Sequence, residues 1–110
     1  MNTQNTPNLP EGSAPEAQIA AWKAHHNSGI YAVEVGGHIA YFKNPTRHDI
    51  NYALARGGGN AQALDVYEAL ANLTFLGGSE AILQSDPLFL GLCTELRTKI
   101  EGAQAKLVNL

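Results

Sequence analysis

The sequence predicts an α+β fold in which one N-terminal β-hairpin packs on a mostly helical domain of three to five helices. Between residues 30 and 43, two runs of β-branched and aromatic residues are separated only by Gly36 and Gly37, a strong hairpin pattern. Apolar residues then recur at helical spacing over much of the remaining chain. The 110 residues are near the usual size of one domain, so we expect a single core.

The chain divides into a flexible arm, residues 1–14, and a single α+β domain, residues 15–110. The arm contains Pro, Asn and Thr and few residues to bury, so no packing offsets the entropy lost on ordering. Pro15 stands at a typical first helical position, and Glu16 lies in the first turn, where the helix dipole favours negative charge. Trp22 supplies part of a small apolar face on this first helix.

The hairpin is expected to have one core face and one mixed face. A two-residue turn at Gly36 and Gly37 fixes the pairing, and cross-strand partners share a face. The predicted core face contains Tyr31, Val33, Val35, Ala40 and Phe42. Ile39 and Tyr41 fall on the other face, and apolar residues there indicate cover by another molecule, such as a second subunit.

Cap residues and glycines mark the helices that follow. Thr46 with Asp49 three residues later resembles a capping box, and the glycines after residue 56 end that helix. Asn60 caps a helix predicted over 60–76, which is apolar over more than one stripe and ends at two glycines.

The last helix is predicted to begin at Asp86, a cap residue, with Pro87 at the first helical position. Its apolar stripe contains Phe89, Leu92, Cys93, Leu96, Ile100, Ala103 and Leu107.

Composition excludes several classes of function. The net charge is −3 and the seven basic residues are scattered, so we expect no direct binding to nucleic acid. Cys93 is the only cysteine, which excludes an internal disulfide and a multi-cysteine metal site. No apolar run approaches the roughly 18 residues of a membrane span, and the amino terminus lacks a signal pattern. We therefore expect an intracellular protein without a membrane association.

The histidines do not form a convincing site. His48 and Asp49 are adjacent, but neighbouring helical residues point about 100° apart, and no compelling nucleophile lies near them in sequence. No two of the four histidines show the i, i+4 spacing of a helical metal pair. The glycines at residues 57–59 lack the Lys-Ser/Thr ending of a phosphate-binding loop. We predict no catalytic, cofactor or metal site.

Three segments resemble a family of small phage proteins related to tail assembly chaperones, and the resemblance covers roughly residues 30–110. Members have a hairpin with a K-x-P-x-R join, an L-x-G-x-E-x-I segment and an A-x-x-x-x-L ending. The matching residues here are Lys43, Pro45 and Arg47, then Leu76, Gly78, Glu80 and Ile82, then Ala105 and Leu110. The glycines at 57–59 depart from the polar loop expected in this family.

The resemblance implies a non-enzymatic helper in the host cytoplasm that coats the tape measure protein during tail assembly and forms homo-oligomers. The alternatives are a structural subunit of the phage particle, such as a connector or tail component, a small enzyme or metal-binding protein, and a host-encoded adaptor. For the chaperone, the expected partners are the tape measure protein or other tail proteins. The residues expected to contact them are Ile39, Tyr41, Val66, Tyr67 and Leu70.

Overall fold

The structure, a computed structural model, describes residues 9–58, 60, 62–102 and 105–110. Over these residues the chain forms one three-stranded antiparallel sheet and five helices, which confirms the predicted α+β class. The elements in chain order are α1 Glu16–His25, β1 Ile30–Val35, β2 His38–Lys43, α2 Arg47–Arg56, α3 Leu64–Thr74, β3 Phe75–Gly78, α4 Ala81–Gln84 and α5 Asp86–Glu101.

The hairpin has the predicted register. Gly36 and Gly37 form its turn, with φ angles of 58° and 79° that glycine adopts without a side-chain clash. Val35 lies opposite His38, and the pairing continues without a shift to the far end of β1. All five residues of the predicted core face belong to the core or pack against it, and Phe42 is fully buried.

The third strand, β3, was not predicted. The sequence favoured a helix over 60–76, but α3 ends at Thr74 and the chain continues along β2. Gly78 allows this close approach, because a Cβ atom there would lie 2.6 Å from the carbonyl oxygen of Ile39. The register of β2 against β3 shifts between Tyr41 and Phe42.

One apolar core lies between the sheet and the helices. Val66 and Leu70 of α3 and Leu92 and Leu96 of α5 are fully buried in it. Ile82 of the short helix α4 is fully buried in the same core.

Part of the predicted arm contacts the sheet. Residues 1–8 lie outside the described residues, but Glu11 forms an isolated bridge with the start of β2. Its N–H donates to the carbonyl of Gly37, and its carbonyl accepts from the N–H of Ile39, both at 2.9 Å. The sequence analysis of the predicted flexible arm did not anticipate these hydrogen bonds, because it considered only the lack of apolar residues to bury.

Several helix boundaries also differ from the prediction. Pro15 is at the cap position of α1 rather than its first residue, and Ser85 rather than Asp86 is at the cap position of α5. The cap position of α3 is Ala63 rather than Asn60, whose side-chain oxygen instead accepts from the N–H of Gln62 at 3.0 Å. Helix α5 ends at Glu101, and Leu107 of the predicted stripe is exposed beyond it, while residue 103 lies outside the described residues.

Candidate protein-binding groove

Helices α2 and α3 pack side by side and leave an open groove on the surface, with a volume of about 520 Å³. We call this the α2–α3 groove. Its lining residues are Tyr52, Ala55 and Arg56 on α2, and Asp65, Glu68, Ala69, Asn72 and Leu73 on α3.

Apolar side chains of very different size line the groove. Ala55 and Ala69 are small, and small residues leave room for a partner to approach the backbone. Tyr52 and Leu73 are large and keep 46% and 39% of their surface exposed. Exposed large apolar side chains grouped around a depression are typical of a surface that a protein partner covers.

The polar lining residues carry both signs of charge. Arg56 lies on the α2 side, and Asp65 and Glu68 lie on the α3 side. None of the ion pairs found within the described residues uses any of these three side chains. The charges are therefore available to orient a charged partner.

A capping box fixes the start of α2, as the sequence predicted. The Thr46 hydroxyl accepts from the N–H of Asp49 at 3.2 Å, and the Asp49 carboxylate accepts from the N–H of Thr46 at 3.0 Å. Lys43, at the end of β2, places its Nζ atom 3.4 Å from the same carboxylate. Burial alone would raise the pKa of Asp49, but the hydrogen bonds from Thr46 and the charge of Lys43 hold it below its ordinary value. These contacts hold the first turn of α2 against the sheet.

The chain itself covers the two hairpin residues predicted to bind a partner. The rings of Tyr41 and Trp22 are 5.3 Å apart, and the Tyr41 hydroxyl accepts from the N–H of Ala14 at 3.1 Å. Tyr41 is consequently only 7% exposed. Ile39 is half-buried beside Glu11. Trp22 of α1 and the segment before that helix therefore contact the two outer-face residues.

The three predicted residues on α3 do not form a surface either. Val66 and Leu70 are fully buried, and Tyr67 is 8% exposed, so all three belong to the core. The apolar residues of α3 that line the groove are instead Ala69 and Leu73. The sequence pattern that could have identified Ala69 and Leu73 is the presence of more than one apolar stripe on the helix predicted over 60–76.

A second cluster contains serine, histidine and glutamate, but its geometry does not fit nucleophilic catalysis. His38 Nδ1 lies 2.8 Å from Ser79 Oγ and 3.8 Å from Glu11 Oε2. A catalytic relay uses the two ring nitrogens separately, one for the nucleophile and one for the carboxylate. Here both partners approach the same nitrogen, and Ser79 is 7% exposed. The cluster ties the N-terminal segment to the sheet.

The other candidate residues from the sequence, His48 and Asp49, do not form a catalytic pair. His48 is exposed at the start of α2, while Asp49 is engaged in the capping box. Across the described part of the chain, no group of three or more His, Cys, Asp or Glu side chains could hold a metal ion. The helices found there are also too short or too polar to cross a membrane.

Comparisons with known proteins give no information about the function. Protein-family models, curated proteins and solved structures were each searched, and none matches the chain. The likeness to tail assembly chaperones therefore rests on the short motifs alone.

Proposed function

We propose that the protein is a non-enzymatic chaperone of phage tail assembly that binds the tape measure protein in the host cytoplasm. The observation that carries this proposal is the α2–α3 groove, with its exposed apolar side chains and with charges that form no ion pair among the described residues. The family resemblance supports the tape measure protein as the partner, and the groove supports binding between α2 and α3.

The groove suits an amphipathic helix. Such a helix would place its apolar stripe on the apolar part of this mainly polar groove and its charged residues against the charged part. Tyr52 and Leu73 would contact the stripe, while Arg56 would attract acidic residues of the partner and Asp65 and Glu68 would attract basic ones. A long helical protein offers this pattern repeatedly, so several copies could line it.

The size of the apolar contribution can be estimated for Leu73. Burying an apolar side chain fully contributes about 1.5–3 kcal/mol, and Leu73 is already partly buried in the free protein. A contribution of about 1.5 kcal/mol corresponds to roughly tenfold in affinity. An aspartate at this position would add a desolvation penalty, so the loss should exceed tenfold.

Co-expression with the tape measure protein tests the proposal. The two proteins should co-purify, and Leu73→Asp should abolish most of the co-purification. Leu90→Asp is the matched control, because Leu90 is a 54% exposed leucine outside this groove. A tape measure protein that is equally insoluble with and without this protein would reject the proposal.

A structural subunit of the phage particle is the second candidate. The segment 105–110 favours it, because Leu107, Val108 and Leu110 are exposed and a permanent assembly would bury them. The two candidates differ in one measurable respect. Mass spectrometry of purified virions should find no stoichiometric amount of a chaperone, whereas a structural subunit would be present.

A further inference from the structure

The two edges of the sheet differ in how well they are protected from pairing with a further strand. β3 is four residues long, contains two glycines and meets β2 with a shifted register. Glu11 pairs with the start of β2 on the side of β2 that faces β3, so that this part of the strand is also paired. Short strands, irregular register and covering segments are the usual devices that prevent edge pairing.

The opposite edge, formed by β1, has few of these devices. β1 is six residues long, contains no proline and pairs with β2 without a bulge. Ala32 and Glu34 are exposed, and Glu34 is the only charged residue of the strand. A long, regular edge strand of this kind is a ready template for another strand.

The hydrogen bonds of Ile39 show which groups β1 presents. Its N–H donates to Glu11 and its carbonyl accepts from Ser79, each at 2.9 Å, so both groups point away from β1. Glu34 lies opposite Ile39, so its own N–H and carbonyl point to the free edge of β1. Because this orientation repeats at every second residue of an antiparallel strand, the N–H and carbonyl groups of Ala32 and Ile30 also point to the free edge. No hydrogen bond recorded among the described residues uses these six groups.

We propose that β1 pairs antiparallel with β1 of a second copy of this chain, around a two-fold axis at Ala32. The two sheets then form one continuous sheet. This pairing uses only the free edge of β1, so it is independent of the α2–α3 groove and of the proposed function.

The strand is complementary to itself in this register. Ile30 lies opposite Glu34 of the second copy, so the only charge of the strand meets an apolar neighbour rather than another carboxylate. On the core face, the half-buried Tyr31 lies opposite Val33 of the second copy. Each of the six free groups of one β1 forms one hydrogen bond with a free group of the other copy, so six backbone hydrogen bonds join the two strands.

The exposed segment 105–110 is the competing occupant of this edge. Helix α5 runs antiparallel to β1, because Gly91 lies near Val35 and the Lys99 Nζ atom lies 4.3 Å from the centre of the Tyr31 ring. A segment that returns along β1 from the end of α5 would pair parallel to it. Parallel pairing is slightly less stable per residue than antiparallel pairing, which favours the second copy.

Sedimentation and amide exchange of the full chain test the proposal. We expect a concentration-dependent dimer in which the amides of Ile30, Ala32 and Glu34 become protected as the dimer forms. The amides of Tyr31 and Val33 should be protected at every concentration, since they bond within the hairpin.

Ala32→Pro removes an N–H that points to the free edge and leaves the bonds of the hairpin in place. It should weaken dimerisation at least tenfold. Ala32→Thr is the control, because threonine keeps the N–H and favours strands, and it should dimerise like the natural chain. Protected amides at Tyr31 and Val33 in the proline variant would show that its hairpin is intact.

Three results would overturn the proposal. A strictly monomeric natural chain with rapidly exchanging amides at Ile30, Ala32 and Glu34 would show an unused edge. A proline variant with an intact hairpin and unchanged dimerisation would place the contact elsewhere. Loss of the protection on deleting residues 105–110 would make that segment the occupant. Because the exchange pattern of the natural chain is informative by itself, misfolding of a variant would not prevent a decision.

Discussion

Leu96 and His48 represent the two environments that single residues occupy in this protein. Leu96 is fully buried in the core on α5, whereas His48 is exposed at the start of α2. Leu96→Ala should lower the free energy of unfolding by roughly 2–5 kcal/mol, because it removes buried methyl groups and leaves a cavity. His48→Ala should change it by less than about 0.5 kcal/mol. Urea denaturation of both variants checks this, and equal losses would contradict the division into core and surface.

The capping box makes stability depend on pH. The pKa of Asp49 is lower in the folded chain than the value of about 3.9 in an unfolded one. Its ionised carboxylate therefore stabilises the fold at pH values above the unfolded pKa, and this contribution is lost as the pH falls through the folded pKa.

Asp49→Asn tests this dependence, because it keeps an oxygen for the N–H of Thr46 but removes the charge beside Lys43. The variant should be about 1 kcal/mol less stable at neutral pH. It should also lose less stability than the natural chain between about pH 5 and pH 2. Thermal denaturation across this pH range is the measurement, and parallel curves for the two proteins would show that Asp49 does not contribute.

At the scale of elements, Trp22 of α1 packs on Tyr41 at the outer face of the sheet, and two tyrosines test this contact. Tyr41 is packed against Trp22, whereas Tyr52 is 46% exposed in the α2–α3 groove. Tyr41→Ser should lower the free energy of unfolding by about 2–4 kcal/mol, and Tyr52→Ser by less than about 1 kcal/mol. The same loss in both variants, measured by denaturant unfolding, would show that the contact between Trp22 and Tyr41 does not stabilise the fold.

Gly12 holds the segment before α1 against the sheet. Its φ angle is +96°, and a Cβ atom would lie 2.7 Å from the carbonyl oxygen of Ile39. Gly12→Ala should displace the segment and release the N–H of Ile39, which bonds to Glu11. Gly58→Ala is the control, because its φ is also positive, at +63°, but a Cβ atom there would have no other atom within 4 Å. Faster amide exchange at Ile39 in the first variant only is the expected result.

Elements specified by local chemistry were predictable, and elements specified by distant contacts were not. Two glycines between strand-forming runs determine the hairpin, and Thr46 with Asp49 determines the start of α2. The strand β3 was missed because its apolar residues continue the helical pattern of α3, and only the neighbouring strand β2 draws them into a sheet. Cover of Tyr41 by Trp22 depends on a contact between distant parts of the chain.

At the scale of the whole molecule, the sequence predicted a surplus of apolar residues but not the positions that they occupy. An apolar surplus on the hairpin and on the helix over residues 60–76 indicated a partner-binding protein. On the hairpin, Tyr41 packs against Trp22 of the same chain, while Leu73 of the predicted helix lines the α2–α3 groove together with Tyr52. No periodicity within one helix determines how α2 lies against α3, so the groove required the three-dimensional structure.

The central claim is that the α2–α3 groove binds the tape measure protein. The most direct measurement is amide exchange of the protein, free and in complex with the co-expressed tape measure protein. Slower exchange should appear in residues 52–56 and 65–73, and it should be absent in the corresponding preparation of Leu73→Asp. Protection confined to other parts of the chain, such as residues 105–110, or no complex at all, would contradict the claim.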